Sequence, residues 1–139
     1  MSELHLVEST LGGVQTPRIH SKLNDLPSKG HELIDFAAEI GLELMDWQKF
    51  VAIHGHKVKP DGRWAHSEVG LCLSRQNGKS TLMMLRILTG MFVWGEGLQL
   101  ASAHRLTTSL ETFRQIVSLI EQNPNLEKEV KKIRCHSRC

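Results

Sequence analysis

Several things are scarce in this chain of 139 residues, and each scarcity excludes a class of protein. Cysteine occurs three times, at Cys72, Cys135 and Cys139, too few and too unevenly placed for a disulfide framework, which points to a reducing compartment with the cytoplasm as the default. No long hydrophobic run is present. The most apolar stretch, Leu82 to Trp94, is broken by Arg86 and Thr89 and falls short of the roughly 20 residues that span a bilayer, so it reads as a buried helix and no membrane partner is expected. The opening residues, Met1 to Gly13, carry Glu3, His5 and Glu8 among scattered leucines and lack the basic start and apolar core of a signal peptide. Neither sign of charge dominates, with 17 Lys+Arg against 15 Asp+Glu and a net charge of +2. That balance argues against a polybasic nucleic-acid coat and against an acidic tail, while leaving room for a local basic face. A hydrophobic fraction of 40% suits one soluble domain with an ordinary core.

Residues 1–27, with Gly12, Gly13, Pro17 and Pro27 and no sustained period, read as a weakly ordered lead-in. The domain is expected over 28–139. Ser28 is placed to cap a helix carrying Leu33, Ile34, Phe36, Ala37 and Ile40, with Gly41 as its stop. A second helix is expected from Asp46 as N-cap through Trp47, Phe50, Val51 and Ile53 to about Gly55. Pro60-Asp61-Gly62 marks a tight turn. The apolar run Ser67 to Leu73 then predicts a buried strand, the polar stretch Ser74 to Thr81 a loop, and the apolar residues beyond it a helix. Leu98 to Ala103 predicts a second strand, and Thr108-Ser109-Leu110-Glu111 has the spacing of a capping box for a helix with Leu110, Phe113, Ile116, Val117 and Ile120 on one face. Asn123-Pro124 ends it, and Leu126 to Arg134 reads as a short charged helix. The expected fold class is therefore α/β: an incomplete P-loop domain with a parallel-sheet βαβ core behind a helical lead-in.

The triplet Gly78-Lys79-Ser80 stands at the junction of the first expected strand and its helix. A phosphate-binding loop needs a glycine where backbone approaches a phosphate and amide N–H groups at a helix start to receive the anion. It also needs a lysine to reach the β and γ phosphates and a hydroxyl to hold Mg²⁺. Gly78, Lys79 and Ser80 match these roles in order. The full pattern asks for a second glycine five residues before Gly78, where Leu73 stands instead.

The run Leu73-Ser74-Arg75-Gln76-Asn77-Gly78-Lys79-Ser80 resembles the deviant Walker A motif of the large terminase subunits of tailed bacteriophages. Trp47-Gln48 resembles the adenine-recognition motif that precedes the loop in that family, Asp61-Gly62-Arg63-Trp64 the run-in to its strand, and Ala101-Ser102-Ala103 with Phe113 and Arg114 the strand and helix beyond. The resemblance covers roughly residues 30 to 134. It implies the ATP-binding portion of a motor that packages viral DNA into capsids in the host cytoplasm, working with a terminase small subunit and a portal protein. It further implies that Lys79 contacts the phosphates of ATP, Ser80 or Thr81 coordinates Mg²⁺, and Arg75 stabilises charge on the transferring phosphoryl group. Gln76, Asn77, Gly78 and Thr81 would complete the cofactor-binding loop, and Gln48 would read the base edge. Trp47 also suits a core position at helical spacing.

Hydrolysis in such a domain needs an apolar strand ending in an acidic pair. The nearest approximations, Leu119-Ile120-Glu121 and Leu33-Ile34-Asp35, both fall in helical patterns, and no carboxylate cluster suits a two-metal nuclease. At roughly 30 residues per βαβ step, the chain from Ser67 onward has room for about two strands. Nucleotide binding without hydrolysis or DNA cleavage is the expectation. The alternatives are a non-catalytic regulatory or interaction remnant of the fold, one chain of a split terminase completed by a companion chain carrying the remaining ATPase and nuclease parts, or another P-loop enzyme such as a small-molecule kinase. Cys135, His136 and Cys139 lie too close together at one end for a four-ligand zinc site, and His54 and His56 flank a turn where histidines are usually solvated. Lys128, Lys131, Lys132, Arg134 and Arg138 against Glu127 and Glu129 leave the last stretch net basic, suiting either a DNA-facing patch or an exposed helix laced with opposite charges.

Overall fold

A computed structural model describes residues 14–136, with side chains as far as Val130. Five helices carry the architecture: α1 (Gly30–Glu39), α2 (Asp46–Gly55), α3 (Lys79–Phe92), α4 (Leu106–Gln122) and α5 (Pro124–His136). Helix α1 packs on α2 and α3, α3 packs on α4, and α4 on α5. None of the helices among the described residues is long and apolar enough to cross a membrane.

The start of α1 is fixed by Ser28, whose hydroxyl accepts the Gly30 N–H at 2.9 Å and donates to the Ile53 carbonyl of α2 at 2.5 Å. Lys29 and not Ser28 is the N-cap residue, and it makes no side-chain cap bond; Ser28, one residue earlier, holds the first helical N–H and ties α1 to α2. Gly30 lets the two backbones meet, since a Cβ there would lie 2.1 Å from the Ala52 carbonyl oxygen. Helix α1 stops at Gly41, whose φ of +78° closes a C-terminal turn in which Leu42 N–H reaches the Ala37 carbonyl at 2.8 Å. In α2, Met45 and not Asp46 is the N-cap. Asp46 is the first helical residue and pairs with Lys49 at 3.8 Å, while the Gln48 side chain returns to the Met45 N–H.

The core lies between α1, α2 and α3. Leu33, Ala37, Leu44, Trp47, Ala52, Leu82 and Leu85 form one buried cluster, and Phe36, Leu88 and Leu126 form a second toward α4 and α5. Leu33, Leu85 and Leu88 are fully buried, each worth about 1.5–3 kcal/mol in transfer from water. Helix α4 begins at Leu106, two residues ahead of the expected capping box, with no side-chain cap. Its apolar face is used only in part. Ile116, Leu119 and Ile120 pack on the second cluster, whereas Leu110 and Phe113 remain exposed. Pro124 opens α5, a position where its missing N–H costs nothing.

The expected parallel-sheet βαβ core does not form. Residues 67–73 and 98–103 run without regular structure, and the described residues contain no sheet, only isolated antiparallel bridges at Ser28–Lys57 and at Val58–Trp64, the latter flanking the turn at Pro60-Asp61-Gly62. Val69, Leu98 and Leu100 are exposed, the last at 94%. Alternating apolar residues record a side-chain pattern, but a strand also needs a neighbour to complete its ladder, and no described segment pairs with either run. The α/β assignment is therefore replaced by a helical one.

Candidate functional site

Leu73 packs half-buried against the first core cluster and anchors the chain where it enters the loop that leads to α3. From Ser74 to Asn77 the loop is exposed, with the Asn77 side-chain amide donating to the Ser74 hydroxyl. Two residues turn it through the left-handed region, Gln76 at φ +62° and Gly78 at φ +76°, and α3 starts immediately afterwards at Lys79. The Lys79 ammonium curls back over the loop and donates to the carbonyls of Leu73 and Ser74, the latter at 3.2 Å.

Beneath the loop lies the N-terminus of α2. Gln48 is buried, with its carbonyl oxygen accepting the Met45 N–H at 2.8 Å and its amide nitrogen donating to the Gly78 carbonyl at 3.0 Å. A Cβ on residue 78 would lie 2.9 Å from that nitrogen and 3.8 Å from the Trp47 ring. Gly78 is thus required both by its dihedral angle and by close approach. Trp47 belongs to the buried core cluster, with its ring edge under the loop.

The arrangement suits an anion. The first amides of a helix have no intrahelical acceptor, and α3 has neither a side-chain cap nor an acidic residue in its first turn. Lys79 satisfies its charge on backbone carbonyls and makes no ion pair among the described residues. Gln48 holds the Gly78 carbonyl from below, and Lys79 holds the carbonyls of Leu73 and Ser74 at the entry of the same loop. Arg75, Gln76, Asn77 and Ser80 are exposed on it, and Thr81 is half-buried. A phosphate group fits this donor set of helix amides, lysine and exposed hydroxyl. Ser80 would offer one oxygen to Mg²⁺, which takes few protein ligands and keeps waters and phosphate oxygens for the rest.

The other residues of interest stand elsewhere. Asp35 and Glu121 are exposed on α1 and α4. Among the described residues no group of three or more His, Cys, Asp or Glu side chains is arranged to hold a metal. His54 packs against Phe50 with the rings tilted at 50° and their centroids 4.4 Å apart, and burial, with Lys57 and His20 adding to it, lowers its pKa. His56 donates from Nδ1 to the Ala52 carbonyl at 2.8 Å and sits against Trp64 and Trp94, 5.9 and 5.3 Å between ring centroids. The Cys135–Cys139 segment and the basic side chains from Lys131 onward lie outside the described side chains.

One cluster has no signal in the sequence. Arg86 of α3 forms a two-pronged pair with Glu96 at 2.7 and 2.8 Å and stacks on Trp94 and Trp64. Trp94 in turn donates to Glu32 of α1 at 2.6 Å. Trp94 and Glu32, which bond directly, lie 62 residues apart, so no local pattern joins the cluster.

Comparison with known protein families, with curated proteins and with solved structures finds no match to this chain.

Proposed function

We propose that the loop from Leu73 to Thr81 binds the phosphates of ATP with Mg²⁺, as the nucleotide-binding portion of a viral DNA-packaging motor. The observation that carries the nucleotide reading is Lys79: a lysine at the first position of an uncapped helix, folded back over a loop turned by Gly78, its charge met by carbonyls and by no carboxylate. An incoming phosphate exchanges those carbonyls for a full negative charge and meets the first-turn amides of α3 at the same time. Ser80 offers its hydroxyl to the metal, and Arg75 supplies a second cation on the same loop. The motor reading, with viral DNA, a terminase small subunit and a portal protein as partners, rests on the resemblance of residues 73–80.

Binding without steady hydrolysis is the expected behaviour, because both acids that follow apolar runs, Asp35 and Glu121, project from exposed helical positions. Thermal melting with and without Mg-ATP tests the proposal. At a ligand concentration a hundred times Kd, binding adds about 2.7 kcal/mol to stability and raises Tm. Lys79→Ala is expected to keep the Tm of the free protein and to lose the shift. An equal shift in parent and variant contradicts the site.

A further inference from the structure

The side chain of Gln48 has no free face to offer a base. It is 3% exposed, its oxygen is engaged by the Met45 N–H at 2.8 Å, and its nitrogen is engaged by the Gly78 carbonyl at 3.0 Å. The two bonds have different purposes. The first closes the N-terminus of α2, where Gln48 is the third helical residue and the Met45 N–H would otherwise be unpaired. The second holds the carbonyl of the last residue before α3, the glycine that turns the loop. Because the Gly78 carbonyl also accepts the Leu82 N–H at 3.3 Å, it belongs both to the first turn of α3 and to the Gln48 contact. Trp47, locked in the core with its ring edge under Gly78, fixes the platform on which Gln48 stands.

We propose that Gln48 is a positioning residue that braces the loop from below, and that the site therefore selects for the triphosphate and not, through Gln48, for adenine. The inference rests on the phosphate-binding reading above. Its mechanism is mechanical: with Gly78 held in place, the amides of α3 and the Lys79 stem keep one orientation toward an anion, whichever base is attached. Loss of the brace lets the loop sample other conformations and weakens every phosphate ligand alike.

Calorimetric titration with ATP, CTP and inorganic tripolyphosphate, each with Mg²⁺, separates positioning from base reading. The parent protein is expected to bind ATP and CTP with affinities within a few-fold of each other and to bind tripolyphosphate as well. Gln48→Ala is expected to weaken all three by a common factor of about tenfold, the size of one lost hydrogen bond to an ordered group. Gln48→Glu keeps an acceptor for the Met45 N–H and replaces only the donor to Gly78, so it tests the brace in a protein whose α2 cap is intact, with far-UV circular dichroism as the check on folding. A loss confined to ATP, with tripolyphosphate binding unchanged, overturns the inference and leaves the phosphate site standing. Unchanged affinity for all three ligands in both variants overturns it too. Failure of the parent to bind either ATP or tripolyphosphate overturns the phosphate-binding reading itself, and the inference with it.

Discussion

Gly78 meets two demands that no other residue satisfies together. Its φ of +76° lies in the left-handed region, where a side chain costs roughly 1–2 kcal/mol, and its missing Cβ leaves space for the Gln48 amide. Gly78→Ala is expected to destabilise the fold by about 1–3 kcal/mol in urea unfolding and to weaken Mg-ATP binding with it. His56 makes a second residue-scale prediction. Burial holds its pKa below the ordinary 6.5, with Arg86 adding to the shift and the Ala52 carbonyl and Glu96 opposing it. The unfolded chain then takes up a proton at higher pH than the folded one. Stability from this group is full above pH 6.5 and is lost as the pH falls through 6.5 toward the lowered folded value. Tm measured from pH 7.5 down to pH 5 is expected to decline, and His56→Phe to decline less steeply. His54, shifted in the same direction, accounts for part of the remaining slope.

At the scale of elements, the contact between α1 and α2 depends on Gly30. A Cβ there would meet the Ala52 carbonyl oxygen at 2.1 Å and the Ile53 Cα at 2.6 Å, backbone atoms that cannot swing aside. Gly30→Ala is expected to cost about 1–3 kcal/mol or more, read as a lowered urea midpoint, whereas the same change at Gly70, with nothing within 4 Å and no left-handed φ, is expected to leave the midpoint nearly unmoved. The helices themselves were legible in the chain. Ser28, Gly41, Asn123 and Pro124 mark boundaries that act within a few residues, and α1 and α3 bury the faces that their apolar spacing indicates, whereas α2 buries Trp47 and Ala52 with the polar Gln48 and leaves Phe50, Val51 and Ile53 only partly covered. Helix α4 was legible only in part. Its apolar stripe is continuous in the sequence, yet Leu110 and Phe113 have no element to cover them.

In the whole molecule, what could not be read was whatever depends on distant partners. Val69, Leu71 and Leu73 alternate as a strand would, but pairing is a relation between segments, and residues 67–73 and 98–103 have no ladder in the fold as described. The clustering of Glu32, Trp64, Arg86, Trp94 and Glu96 was invisible for the same reason. At the candidate site the division is similar. The place of Gly78 and Lys79 at a helix start was legible because it is local, whereas the bond from Gln48 to Gly78 spans 30 residues and appears only in three dimensions. The loop proposed to bind phosphate stands on a helical platform, and its location is what a titration can read residue by residue. Backbone amide NMR during titration with Mg-ATP tests it most directly. The largest shifts are expected at the amides of residues 76–82, with those of α4 and α5 unmoved. Shifts centred on any other part of the chain, or none at saturating ligand, would contradict it.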